Sequence, residues 1–373
     1  MKNRFFSASS VFVVGLLAAG LALGQDAKPS VSFSGYVDAD FVSGFAGGGL
    51  KDPTHTTGLE IDLTTTVTFN PKLNAVLYTT MNDGIVPAQG AGKTWDDVNF
   101  DGVAINWLYN NTTTVMVGDL IYGTGYFNYY GNKRSAVVVG EHAVRGVGVT
   151  HGALTVTTGA TNLGAGPTQA WGTFAKYDFT FGQGLTLTPS AKYTAGIPGA
   201  TPINAGLSFD GKVGGLTLSA DIAGDYYNEY YDPGFTVLVE PLFASGAYSV
   251  AGTIFYNKKG RNTIDSVSPT APRTTSAVDA GEGSSAAPKV FDDLLLYVEP
   301  GYSFNDTYAV GLPLEYHDPD LDLAKDESIV IAPTFYVYPG SGVQWWLWAG
   351  VTVPTASGAD PIYTAGSEII FKF

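Results

Sequence analysis

The 373-residue sequence contains no cysteine, three methionines and four histidines, and only 14% of its residues are charged. Without cysteine there are no disulfide scaffolds, thiolate-bound zinc sites, iron–sulfur clusters, thiol nucleophiles or lipid attachment through an N-terminal cysteine. Basic residues are scarce, 19 against 34 acidic ones for a net charge of −15, which argues against a nucleic-acid partner because phosphate would be repelled. The only imidazoles are His55, His142, His151 and His317. None forms an i, i+4 ligand pair, and neither a nucleophile elbow nor an HExxH motif exists. His317 beside Asp318 and Asp320 is the nearest approach to a catalytic pair, and a solvated rim histidine describes it better. An enzyme is therefore not expected, and no cofactor is called for. No apolar run approaches the roughly 20 residues of a membrane-spanning helix.

What the chain does have is apolar, aromatic and glycine content: 45% hydrophobic, 13% aromatic and 47 glycines. Lys2 and Arg4 precede an apolar run from Val11 to Leu23, and Ala22-Leu23-Gly24 puts small residues where a signal peptidase reads. Residues 1–24 are therefore expected to be an export signal, and 25–373 a single domain.

The remainder alternates. Val31, Phe33, Gly35, Val37, Ala39 and Phe41 share one parity, and Ser32, Ser34, Tyr36, Asp38 and Asp40 the other. Leu59 to Phe69 splits the same way, as do Phe235 to Phe243, Tyr248 to Tyr256 and Tyr308 to His317. This is the period of a strand with one apolar and one polar face. On the apolar parity, aromatics recur eight apart: Phe33 and Phe41, Trp171 and Phe179, Phe235 and Phe243, Tyr248 and Tyr256, Tyr308 and Tyr316, Tyr363 and Phe371. Eight residues at about 3.4 Å rise about 27 Å along a strand. A tilt of roughly 40° projects that to about 20 Å, near the height of an apolar band between two aromatic girdles. A sandwich core would instead gather its aromatics at mid-strand.

Turn signals give the count. Short connections fall at Asn70 to Leu73, Asn110-Asn111, Gly152-Ala153, Gly182 to Gly184, Gly211 to Gly215, Ser245-Gly246, Asn305-Asp306 and Pro339 to Gly342, and longer segments separate them. These eight hairpins plus a first and a last strand predict an all-β, antiparallel, up-and-down transmembrane barrel of about eighteen strands, both termini on the short-turn side. Ser135 to Gly140 could extend the wall, so 118–149 reads in two ways, and sixteen strands is the alternative. Pro189, Pro241, Pro300, Pro313 and Pro333 fall inside proposed strands, where bulges or register shifts are expected.

The last segment, Tyr363 to Phe373, keeps Tyr363, Ala365, Ile369, Phe371 and Phe373 on one parity. A closing strand that ends on phenylalanine resembles the C-terminal assembly signal of Gram-negative outer-membrane porins. The resemblance singles out no one porin family. It implies insertion by the outer-membrane assembly machinery, contact with membrane lipid and lipopolysaccharide, and homotrimer formation.

With the apolar parity toward lipid, the other parity lines a water-filled lumen. It carries Asp38, Asp40, Glu60, Asp62, Asp210, Asp221, Glu240, Glu299 and Glu368, against few cations such as Lys176. Such a wall favours cations over anions. Leu120 to Glu141 holds Tyr122, Tyr126, Tyr129, Tyr130, Lys133 and Arg134, and follows the fifth strand as the constricting third loop does in the porins the chain resembles. Asp318, Asp320 and Asp322 have the first spacings of a calcium loop, but Leu323 and Ile329 stand where its glycine and final glutamate belong. The expected function is passive diffusion of small hydrophilic solutes (cations, neutral solutes, sugars) through the outer membrane. The alternative is a non-conducting surface barrel, an adhesin or structural protein.

Overall fold

The computed structural model describes residues 28–45, 54–83, 98–124, 128–129, 140–161, 170–182, 184–196, 203–227, 231–260, 291–318, 321, 327–355 and 358–373. The export signal, Tyr126, Tyr130, Lys133, Arg134, Asp320 and Asp322 lie outside the described residues.

The chain is a closed antiparallel barrel of eighteen strands. In chain order they are β1 (Ser30–Phe45), β2 (Thr54–Asn70), β3 (Leu73–Asp83), β4 (Val98–Asn110), β5 (Thr113–Thr124) and β6 (Gly140–His151). Next come β7 (Leu154–Thr161), β8 (Ala170–Tyr177 with Phe179–Phe181), β9 (Leu185–Ala195), β10 (Ile203–Val213), β11 (Leu216–Tyr227) and β12 (Tyr231–Ser245). The last six are β13 (Tyr248–Gly260), β14 (Phe291–Ser303), β15 (Tyr308–Gly311 with Leu314–Asp318), β16 (Ser328–Ile331 with Thr334–Gly340), β17 (Val343–Pro354) and β18 (Ile362–Lys372). Each strand pairs with its sequence neighbours, and β1 closes the ring on β18 from Tyr36↔Lys372 to Phe45↔Tyr363. Full closure leaves no strand edge unpaired, which a wall in hydrocarbon requires.

Short and long connections alternate as the turn signals predict, with local differences. The turn expected at Gly211 to Gly215 is confined to 214–215, because Gly211 stays paired to Leu185 and Leu218. On the opposite side, the connection expected over 226–233 contracts to 228–230, because the β11–β12 ladder runs on to Tyr227↔Tyr231. β5 and β6 pair over their full length, Thr113↔His151 to Thr124↔Gly140, so 118–124 and 140–149 belong to the wall and the count is eighteen rather than sixteen.

The prolines act differently from expectation. Around Pro313 and Pro333 the ladders lapse and resume in the same register: Val298↔Leu314 is followed by Gly301↔Gly311, and Ile331↔Val351 by Thr334↔Trp348. At Pro241 the β12–β13 ladder skips from Val239↔Ile254 to Leu242↔Ala251 without a shift. Pro189 and Pro300 remain paired to Leu207 and Val250. The register shifts fall elsewhere, for example between Tyr78 and Thr79. A proline removes one donor, which opens a ladder; a shift needs an inserted residue.

The last residue helps to close the ring. Gly35 N–H donates to the Phe373 carbonyl at 3.0 Å, and Phe373 N–H to the Gly35 carbonyl at 3.1 Å. Deleting Phe373 is expected to cost about 1–3 kcal/mol from two backbone hydrogen bonds, measured as a lower denaturant midpoint of the refolded barrel in detergent.

Candidate functional site

The outer and inner faces separate by parity. Of the twelve aromatics spaced eight apart, ten are exposed on the outer face, and Tyr256 and Tyr316 are half-buried. An apolar surface this extensive on a closed wall is stable only against hydrocarbon.

The inner face is lopsided. From β12 round to β1 many of its side chains are packed away, among them Glu240, Glu299, Glu315, Glu368 and Asp38; Asp221 on β11 is also buried. On β2, β3, β9 and β10 the inward positions, Thr194 apart, stay half-exposed or exposed, including Glu60, Asp62, Lys192 and Asp210. Asp40 and Lys176 are half-exposed as well. Lys176 Nζ lies 3.2 Å from Asp178 Oδ2, so that cation is already matched. The ten wall residues singled out in the sequence therefore divide: Asp40, Glu60, Asp62, Asp210 and Lys176 are accessible, whereas Asp38, Asp221, Glu240, Glu299 and Glu368 are buried.

Register brings the acids of β18, β1 and β2 together. Asp40 pairs with Glu368 on one side, Asp38 with Glu60 on the other, and Tyr36 with Asp62. Tyr36 donates its hydroxyl to Glu60 Oε1 at 2.8 Å. Two alternating strands in this register put their acids on one face, so the negative charge is a product of pairing as well as of composition.

A second focus forms where the connection after β5 reaches the wall. Asn128 N–H donates to Glu240 Oε2 at 2.6 Å, and Tyr129 N–H to Oε1 at 3.2 Å. Thr253 adds its hydroxyl to Oε1 at 2.9 Å. Glu240 is on β12, six strands beyond β6, and Asn128 follows the end of β5 by only four residues. Asn128 and Tyr129 therefore lie inside the barrel, against the inner face of β12. Burial, with the carboxylates Glu240 and Asp210 nearby, pushes the Tyr129 phenol up, so it stays a neutral O–H donor over the working pH range. Of the tyrosines expected on this connection, Tyr122 is instead a wall residue of β5. It faces inward and stacks on Phe174 at 5.6 Å, and Leu120 packs with Ala104 and Val144.

No family model matches the sequence, and no curated protein matches it. Solved structures do match the fold. OccK2 (OpdF) of Pseudomonas aeruginosa superposes with a TM-score of 0.56 at 9% identity, covering 92% of this chain and 98% of that one. The outer membrane protein OpdK of the same organism gives 0.53 at 11%, covering 92% and 99%. OmpF of Salmonella typhi, solved in complex with daunomycin, gives 0.52 at 12%, covering 92% and 97%. These are outer-membrane porins. The fold is that of a porin.

The porin-like barrel also holds an inner aromatic layer that strict alternation did not reveal. Tyr336, Trp346 and Trp348 are buried together with Val42, and Tyr338, Ala309 and Ile370 pack against them. Tyr336 meets Trp346 edge-on at 6.3 Å and stacks on Tyr338 at 6.3 Å. Tyr297 and Tyr336 both donate their hydroxyls to Glu299. The carboxylate has room because Gly311 lies beneath it: a Cβ there would come within 2.0 Å of Glu299 Oε1. The sequence signal for this layer was Trp345-Trp346-Leu347-Trp348, which puts aromatics on both parities and so on both faces of β17. Trp345 faces outward and donates Nε1–H to Ser367 at 2.8 Å. Replacing Tyr336 by phenylalanine is expected to cost about 1.5–3 kcal/mol, the range for a hydrogen bond to a charged group, read as a lower unfolding midpoint with the barrel still closed.

Asp318 ends β15 as a buried residue, and no group of three or more His, Cys, Asp or Glu that could hold a metal occurs among the described residues. His317 is buried in the wall, not at a solvated rim.

Proposed function

We propose that the chain, exported by residues 1–24, is an outer-membrane channel that passes small hydrophilic solutes and favours cations. The observation that carries this is the pairing of an accessible acidic stretch, Asp40, Glu60 and Asp62, with the Asn128 and Tyr129 backbone docked on Glu240 inside the barrel. A barrel of eighteen strands is too wide for its side chains to fill. Its passage is then narrowed by what lies inside it, here Asn128 and Tyr129 held on Glu240. Fixed carboxylates on the open side raise the local cation concentration and repel anions. Lipid and lipopolysaccharide surround the outer face, and the solute is small, hydrophilic and neutral or cationic, sugars included.

The buried sector from β12 to β1 favours a second reading, a barrel whose remaining aperture is too narrow to conduct and which serves as a surface or structural protein. Planar-bilayer recording separates the two. Discrete current steps with a cation preference support the channel; a correctly folded barrel that stays silent sinks it. Block of the current by added sugars would place them among the solutes.

A further inference from the structure

A groove of about 540 Å³ indents the outer wall across β15, β16, β17, β18 and β1, over the seam where the ring closes. Register explains it. Ser43, Ala365 and Ala349 are partners in one row on the outward parity of β1, β18 and β17, and none has a side chain larger than a hydroxymethyl group. Pro333 carries the row on to β16: its carbonyl accepts the Ala349 N–H at 3.3 Å, at the place where the β16–β17 ladder lapses. The next outward row, Phe41, Ser367, Leu347 and Phe335, has a phenyl ring at each end. The result is a trough with a floor of small side chains and main chain. Four strand intervals of about 4.8 Å make it about 19 Å long.

The chemistry of the trough selects its occupant. No charged residue lines it. An ion pair does occur on the outer wall, with Arg145 Nε 2.6 Å from Asp119 Oδ1, but it belongs to β5 and β6 and lies outside the groove. The three hydroxyl-bearing residues of the lining all have partners: Ser43 Oγ lies 2.9 Å from His55 Nδ1, Ser367 Oγ accepts the Trp345 Nε1–H, and Thr334 donates to the Ala332 carbonyl at 2.9 Å. A polar ligand would find nothing to pair with, and a lipid headgroup would find none of the basic side chains that bind one. What remains is an apolar occupant. Association within hydrocarbon depends on van der Waals packing, and an empty trough forfeits those contacts along its whole length. The medium against this face consists of acyl chains, which are slender and flexible enough to lie in it.

We propose that the groove from β15 to β1 seats one acyl chain of a phospholipid, held there as a fixed part of the assembled barrel. Since the groove crosses β18 and β1, the seated chain covers the junction at which the ring closes, and a ligand bound only by the folded barrel stabilises it. The inference rests on the barrel lying in a bilayer. It is read from retained lipid, independently of whether the channel conducts.

The full chain, extracted in mild detergent from vesicles of phosphatidylethanolamine and phosphatidylglycerol, is expected to show by native mass spectrometry a population carrying one phospholipid. Ala349→Phe and Ala365→Leu each fill the trough from the outward parity, so each is expected to lower that population several-fold. Ile222→Phe, on the exposed outer face of β11, is expected to leave it unchanged. Added phospholipid should raise the unfolding midpoint of the parent more than that of Ala349→Phe. All three substitutions point away from the lumen, and the heat-modifiable gel band shows which variants are folded. A folded parent that retains no phospholipid, or a folded Ala349→Phe barrel that retains as much as the parent, would overturn the proposal. So would preferential retention of lipopolysaccharide from vesicles that contain both lipids, or a two-copy mass that the groove variants alone reduce to one.

Discussion

Glu240→Ala is expected to raise single-channel conductance and make it noisier. The variant removes the acceptor for the Asn128 and Tyr129 N–H groups and the Thr253 hydroxyl. Hydrogen bonds to a charged group contribute about 1.5–3 kcal/mol each. After solvation of the freed loop, a net loss of about 3 kcal/mol shifts its docked population by roughly 100-fold. Glu240→Gln keeps an acceptor oxygen without the charge and should fall between the two. Tyr129→Phe removes only the phenol, leaves both backbone donors, and should behave as the parent. Retention of the compact, heat-modifiable gel band shows that each variant is folded. If folded Glu240→Ala has unaltered conductance, the 125–139 connection does not set the passage.

Neutralising the accessible acids together, as Asp40→Asn, Glu60→Gln and Asp62→Asn, is expected to lower the cation-to-anion permeability ratio several-fold. A unit charge about 8 Å from a passing ion in a water-like medium is worth about 0.5 kcal/mol. Three of them approach 1.5 kcal/mol, about tenfold in cation occupancy, before screening reduces it. The difference should shrink as salt rises, because the Debye length falls from about 10 Å at 0.1 M to about 3 Å at 1 M. Asp38→Asn with Glu368→Gln is the matched control. These acids adjoin the same registers but are buried, so their neutralisation should move selectivity less. Equal effects from both sets would mean that the open side is not the ion path.

The contrast between those two sets marks where alternation stopped being informative. In β1 the period of two assigns Asp38 and Asp40 alike to the inner face, and both are there; nothing local tells that one is buried and the other half-exposed. That difference comes from what packs over each residue, set by strands far apart in sequence. Glu240 is a similar case. Its inward direction follows from Phe235 and Phe243, but its partners Asn128 and Tyr129 are more than a hundred residues away and carry no pattern pointing to it. Tyr122 looked like a loop residue because aromatics continue past it; pairing with His142 holds it in the wall. Asp119 broke the apolar parity of β5 in plain view, yet only the ladder shows that Arg145 is its partner.

The strand period, the aromatics eight apart and the eight turn signals determined an antiparallel barrel of sixteen to eighteen strands by themselves, because those features depend on neighbours within about ten residues; the β5–β6 ladder fixed eighteen. Which carboxylates meet water, where the third long connection docks, and which stretch of outer wall carries an ion pair were decided by the tertiary structure. Each is a relation between strands brought together by barrel closure, and closure fixes registers that no local segment encodes.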